Sequence, residues 1–128
     1  MTLPRSWCWV ALVGLLALAA LAVLGPWLRR DDLPRCAIDG LIIDPAYRVR
    51  IRDERDQDRE FCDVQCALLW LEHPGSTART IRVTDEISGD EFDAAGAFFV
   101  RSSVVTNRTT GNRWHVFAKR ADALRHAC

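Results

Sequence analysis

"REFCDVQCALLWLEH", residues 59–73, sets Cys62 and Cys66 four apart at the start of what reads as a helix. Asp63 stands near its first turn and Pro74-Gly75 closes it, because proline cannot continue the ladder and glycine accepts the left-handed turn that follows a helix. Phe61, Leu68, Leu69 and Leu71 can face a core, with Trp70 packing at its edge. Two thiols on one helical turn have near-parallel Cβ vectors, with Cα atoms about 6 Å apart. That arrangement suits a shared metal ion better than a mutual disulfide. The free N–H groups and dipole of a helix N-terminus also favour thiolate over thiol.

On the N-terminal side, "CAIDGLIIDPAYRVRIRD" (36–53) reads as a hairpin with turn signals at Asp39-Gly40 and Asp44-Pro45. Tyr47, Val49 and Ile51 alternate with Arg48, Arg50 and Arg52, the period of a half-buried strand. "ERDQD" (54–58) is a polar turn. On the C-terminal side, "RTIRVTDE" (79–86) is a strand and "ISGDEFDAAG" (87–96) a turn followed by an ambiguous piece. "AFFVRSSVVT" (97–106) contains a strand, with a short helix as the alternative over 94–99. "NRTTGN" (107–112) is a turn, and "RWHVFA" (113–118) is a strand with Trp114, Val116 and Ala118 on one face. "KRADALRHAC" (119–128) is a last helix. The order β-β-α then β-(α)-β-β-α predicts a small α+β domain, a mainly antiparallel sheet built of ββα-type units.

Ahead of this domain, residues 7–28 read "WCWVALVGLLALAALAVLGPWL", 22 positions without a charge. That is long enough to cross a bilayer, and Trp7, Trp9 and Trp27 stand at its two ends, where indole rings favour the interface. The expected organisation is a membrane anchor over 1–30 and a metal-binding domain over 31–128. A cleaved signal peptide is the alternative, since Ala17-Leu18-Ala19 and Ala20-Leu21-Ala22 resemble cleavage sites. Both lie inside the apolar run, which exceeds the usual signal length.

Arg5 precedes the segment and Arg29, Arg30 and Arg35 follow it, so positive charges alone favour a cytoplasmic C-terminal domain. Setting aside Arg5, Arg29 and Arg30 leaves 14 Lys and Arg against all 17 Asp and Glu, a formal charge of −3 over 31–128. A nucleic-acid binder is expected to be basic, so that partner class is excluded.

Five cysteines are present. Cys8 lies in the apolar run and reads as a small buried residue. No Cys-x-x-Cys pair occurs, so a thioredoxin-like motif is absent. Cys36, Cys62 and Cys66 have the spacing Cys-x25-Cys-x3-Cys. A hairpin leading back to a helix N-terminus can bring the three thiols together. Three thiolates form a soft site that suits Cu(I) or Zn(II). Disulfide pairing and thiol-redox chemistry remain open alternatives for the same residues.

"CAIDGL…REFCDVQCALLWL" resembles the TRASH-type heavy-metal motif, in which one cysteine precedes a Cys-x3-Cys by about twenty residues. With "VTDEISGDEFDAAGAFFVRSSVV" and "TGNRWHVFAKRADA", the pattern over 36–124 resembles NosL-like proteins, copper-binding accessories of nitrous-oxide reductase maturation. The resemblance implies a membrane-tethered, extracytoplasmic metallochaperone with a ββα-based fold. It implies Cu(I) as the ion and a copper enzyme or transporter as partner; together with the single apolar run, the expected location is the inner membrane with one span, and in the absence of a catalytic motif no enzymatic activity is expected. That family begins with Cys-x-x-Cys-Gly-Met, where this chain has "CAIDGL", with Asp39 in place of the second cysteine and Leu41 in place of methionine. Its later Pro-Met-Gly element is "TNRTTG" here, and Met1 is the one methionine of the chain. A Cu(I) site would therefore be built from thiolates, with His115 or Cys128 as additional donors.

Other residues carry blander readings. His73 finishes a helix before Pro74; His115, opposite Trp114 and Val116 in alternation, reads as surface-exposed; His126 and Cys128 belong to a frayed tail. Asp85, Glu86, Asp90, Glu91 and Asp93 lack the Asp-x-Asp-x-Asp-Gly loop of a calcium site and read as a solvated turn. Ser102 and Ser103 have no Gly-x-Ser-x-Gly setting, and no His-Glu-x-x-His helix occurs.

Overall fold

Asp63 fixes where the helix starts. Its carboxylate Oδ1 accepts the Cys66 N–H at 2.8 Å, the bond that caps a helix at its N-terminus. The computed structural model describes residues 5–28 and 33–127. In it α2 runs over Val64–Leu71, so Cys62 lies just ahead of the helix and not on its first turn. The residues before the cap are a strand: β1 (Val49–Arg52) pairs antiparallel with β2 (Asp58–Phe61), setting Val49 opposite Phe61 and Ile51 opposite Arg59. Sequence reading extends the helix back over 59–62 because four residues are too few to separate period 2 from period 3.6.

The partner of β1 is therefore β2 and not residues 36–43, which make only an isolated bridge, Arg35 to Ile42. The turn over 53–57 explains the choice. Asp53 Oδ1 accepts the N–H groups of Arg55 at 2.8 Å and Gln57 at 2.9 Å. Asp56 takes the left-handed conformation, φ 58°. A single 3-10 turn over Pro45–Tyr47, with Asp44 accepting the Ala46 N–H, leads the chain into β1.

β3 (Thr80–Thr84) lies on the other side of β1, and β4 (Glu91–Asp93) completes an antiparallel four-stranded sheet of order β2-β1-β3-β4. The ambiguous piece after "ISGD" is thus β4 followed by a 3-10 turn over Ala94–Gly96. Val49, Ile51, Phe61 and Val83 point to the core, where they meet Cys36, Ile43, Cys62, Cys66, Ala67 and Val116. The opposite face carries Arg48 and Arg50 bridged to Glu60 and Glu91. From α2 the core receives Cys66 and Ala67, with Trp70 and Leu71 partly covered. Leu68 and Leu69, expected inside, are half exposed, because the inward stripe of this two-turn helix is 66-67-70-71.

A second antiparallel pair, β5 (Phe98–Arg101) and β6 (Trp114–Phe117), forms its own two-stranded sheet. α3 (Arg120–Ala127) follows it. The turn after β3 holds this pair. Glu86 N–H donates to the Val116 carbonyl at 3.1 Å, and Asp85 Oδ1 accepts the Ala118 N–H at 3.1 Å. The first two members of the acidic run are thus structural, Asp85 being buried, and not a solvated turn. His115 is buried as well. Alternation does place it opposite Trp114 and Val116, but its face of the pair is covered by His126 of α3, whose ring lies 4.3 Å from that of His115 and 5.1 Å from that of Phe117. His126 is accordingly packed and not frayed.

The chain divides into two units, Met1–Leu33 and Pro34–Cys128. The second is the α+β body just described. The first contains α1 (Arg5–Leu28). Val13, Leu15, Leu16, Leu18, Leu21, Val23 and Leu24 are all exposed on it. Its side chains are described over 13–25, and among the described residues no helix is long and apolar enough to cross a membrane.

Candidate metal centre

Three separate segments deliver the thiols. Cys36 opens a tight turn in which its own N–H donates to Leu41 O at 2.9 Å and the Gly40 N–H returns to Cys36 O at 3.0 Å. Gly40 has φ 72°, the left-handed conformation that glycine adopts without strain. The Ala37 N–H donates to Glu60 O at 2.9 Å, fastening this turn to β2. Cys62 follows β2 directly. Cys66 sits in the first turn of α2, positioned by the Asp63 cap.

Cys62 Sγ and Cys66 Sγ are 3.5 Å apart. Both thiols also reach the Asp39 carboxylate, each with Sγ 3.6 Å from Oδ2. One donor atom from each of Cys36, Asp39, Cys62 and Cys66 lies within 4.8 Å of all the others. The convergence of Cys62 and Cys66 differs from the parallel geometry expected of two cysteines on one turn. The difference follows from the extended Asp63 (φ −167°, ψ 176°), which separates Cys62 from the helix.

All three thiols are free and buried, whereas Asp39 is exposed. Burial and the adjoining Cys36 and Cys66 thiols push the Cys62 thiol far up. Burial likewise pushes the Cys66 thiol up to about 12, with Asp63 and Cys36 adding to the rise. The helix N-terminus thus does not offset burial at Cys62 and Cys66, whose thiols are held toward the protonated form. Asp39 moves the other way: burial raises it, but the Leu41 N–H and the three thiols outweigh that and hold the carboxyl below its ordinary value. The Leu41 N–H lies 3.0 Å from Oδ1. Metal ligands must be deprotonated, so loading this cluster would release protons.

The donor set fits a soft ion: three sulfurs and one oxygen are ligands that Zn(II) accepts, and three thiolates alone suit Cu(I). Cys36, Cys62 and Cys66, singled out by spacing, are brought together. Asp39 was legible only as the residue standing where the resembled family has its second cysteine, at the same i, i+3 spacing from Cys36. His115 is not brought to the cluster; its Nδ1 lies 2.8 Å from Glu86 Oε2 and its Nε2 3.1 Å from Val105 O. Cys128, the other additional donor expected, lies outside the described residues.

Comparison with protein-family models finds no match, and no curated protein matches the chain. Among solved structures, the crystal structure of the copper chaperone NosL from Shewanella denitrificans is similar, with a TM-score of 0.63 and 18% identity over 72% of this chain and 78% of that one. Likeness at this identity speaks for the fold. The chain thus has a NosL-like fold, and within it Cys36, Asp39, Cys62 and Cys66 form a cluster that could hold a metal ion.

Proposed function

We propose that the protein is a membrane-anchored, non-enzymatic accessory that binds a soft metal ion, Cu(I), at Cys36, Cys62 and Cys66 and passes it to a copper enzyme or transporter. The observation that carries this reading is the convergence of three free thiols from three segments into one cluster. The fold shared with a copper chaperone supports copper as the ion. The charge-free run over 7–28 supports the anchor, and the resemblance to NosL-like proteins supports an α+β body on the extracytoplasmic side of the inner membrane.

The ion is cargo in this reading, and the chain's own groups do three things. The cap at Asp63 and the bond from Ala37 to β2 hold the cysteines before loading, so little ordering entropy is lost on binding. The thiols give up their protons as the ion enters. The exposed side of the cluster lets a partner's ligand reach the ion while the buried thiols still hold it.

Titrating the full-length chain in detergent with Cu(I) against a competing chelator, under anaerobic reducing conditions, tests this. One-to-one binding that vanishes in the Cys62→Ser/Cys66→Ser double variant is expected. Full retention in the double variant sinks the reading.

A second reading has one observation in its favour: the three cysteines are members of the hydrophobic core. A structural Zn(II) there would supply folding free energy. Circular dichroism after chelation separates the two, since a structural zinc protein unfolds when stripped and a carrier stays folded.

A further inference from the structure

Asp39 differs from the other three members of the cluster in two ways. It is the exposed one, and it is the hard donor. Its Oδ1 accepts the Leu41 N–H, as in many aspartate turns. Its Oδ2 lies 3.6 Å from both Cys62 Sγ and Cys66 Sγ, and Oδ1 is farther, 4.0 Å from Cys62 Sγ. Oδ1 therefore builds the turn, and Oδ2 is the oxygen nearer to both thiols.

We propose that Asp39 is the fourth ligand and the residue that decides how far the site discriminates Zn(II) from Cu(I). This rests on the metal-binding reading above. Zn(II) is held by four donors drawn from cysteine, histidine and carboxylate. Three thiolates leave one position open, and Asp39 Oδ2 fills it. Cu(I) is soft and is satisfied by thiolates. Charge sharpens the contrast. Three thiolates around Cu(I) already carry two net negative charges, and a carboxylate added to them is repelled in a partly buried site. Around Zn(II) they carry one, and the repulsion is smaller. Asp39 thus closes the site over a divalent ion and stands off from a monovalent one. In the Cu(I) form the face that Asp39 leaves open is where an incoming ligand enters.

The test is a pair of chelator competitions, Zn(II) and Cu(I), on the full-length chain and on Asp39→Asn, Asp39→Ala and Asp39→Cys. Asparagine keeps an acceptor for the Leu41 N–H, so it preserves the turn and removes the anionic ligand. Even groups outside the ligand shell change metal affinity about 10- to 100-fold. Asp39→Asn and Asp39→Ala should therefore lose at least about tenfold in Zn(II) affinity, with Cu(I) affinity unchanged within about threefold. Asp39→Cys should regain Zn(II) affinity and, loaded with Co(II), show stronger thiolate-to-metal absorption in the near ultraviolet. Unchanged Zn(II) affinity in Asp39→Asn, or equal losses for both ions, overturns the assignment while leaving the three-thiol site standing. A wild-type chain that binds neither ion overturns both.

Discussion

Asp63 does two jobs with one carboxylate: it starts α2 and it fixes the backbone of Cys66. Replacing an N-cap aspartate with alanine costs about 1 kcal/mol. Asp63→Ala should lower the unfolding free energy by that amount, read as a lower urea midpoint at unchanged slope, and also weaken metal binding, because Cys66 loses its anchor. Asp63→Asn, which still accepts the N–H, should recover most of both; an Asp63→Ala chain with unaltered midpoint would deny the cap its weight. For single residues, the two helix-proximal cysteines could be read from their spacing, because a metal pair has a local signature, whereas sequence reading sets Asp63 inside the first turn and not at the cap, since it begins the helix too early. Asp39 could not be read in that way. Aspartate before glycine is the commonest of turn signals, and a ligand that doubles as a turn residue looks like the turn alone. His115 was misplaced for a related reason: alternation tells which face a residue takes, not whether a later helix covers that face.

The packing of α3 on the β5–β6 pair makes stability depend on pH. Burial first, then the neighbouring His115, pushes the His126 imidazole below its ordinary value, with Glu86 acting weakly the other way. A histidine that resists its proton when folded takes it up more readily when unfolded. The unfolded chain then binds more protons, and stability falls as pH drops below about 6.5. Melting temperatures measured from pH 7.5 down to 5.5 should decline, and His126→Phe, which keeps an aromatic ring on Phe117, should flatten the slope. An unchanged slope in that variant would place the proton elsewhere. Among the elements, β3, β5, β6 and α3 were readable as alternating or terminal patterns. β2 and β4 were not, since four and three residues next to a turn carry too little periodicity to be separated from their surroundings. The exposure of Leu68 and Leu69 has the same origin: eight residues admit more than one inward stripe, and packing against Phe61 selects the one through Ala67.

Over the whole chain, the α+β class followed from element order alone, whereas the pairing of β1 with β2 depended on a turn held by Asp53 that has no strong sequence mark. The arrangement proposed at the membrane is checked by two measurements. The full-length chain should stay with the membrane pellet after alkaline carbonate washing, and a C-terminal reporter enzyme active only outside the cytoplasm should be active. A silent reporter with the chain still in the pellet would put the body on the cytoplasmic side, as the arginine count favours. Cys36 lies two residues after Pro34, where the α+β body begins, and its turn is fastened to β2 through Ala37. In a loaded chain the ion would rivet that entry point to the start of α2. A pull along the tether would then be borne by metal–sulfur bonds before it reached the sheet, and release of the cargo would leave the same entry point free to peel.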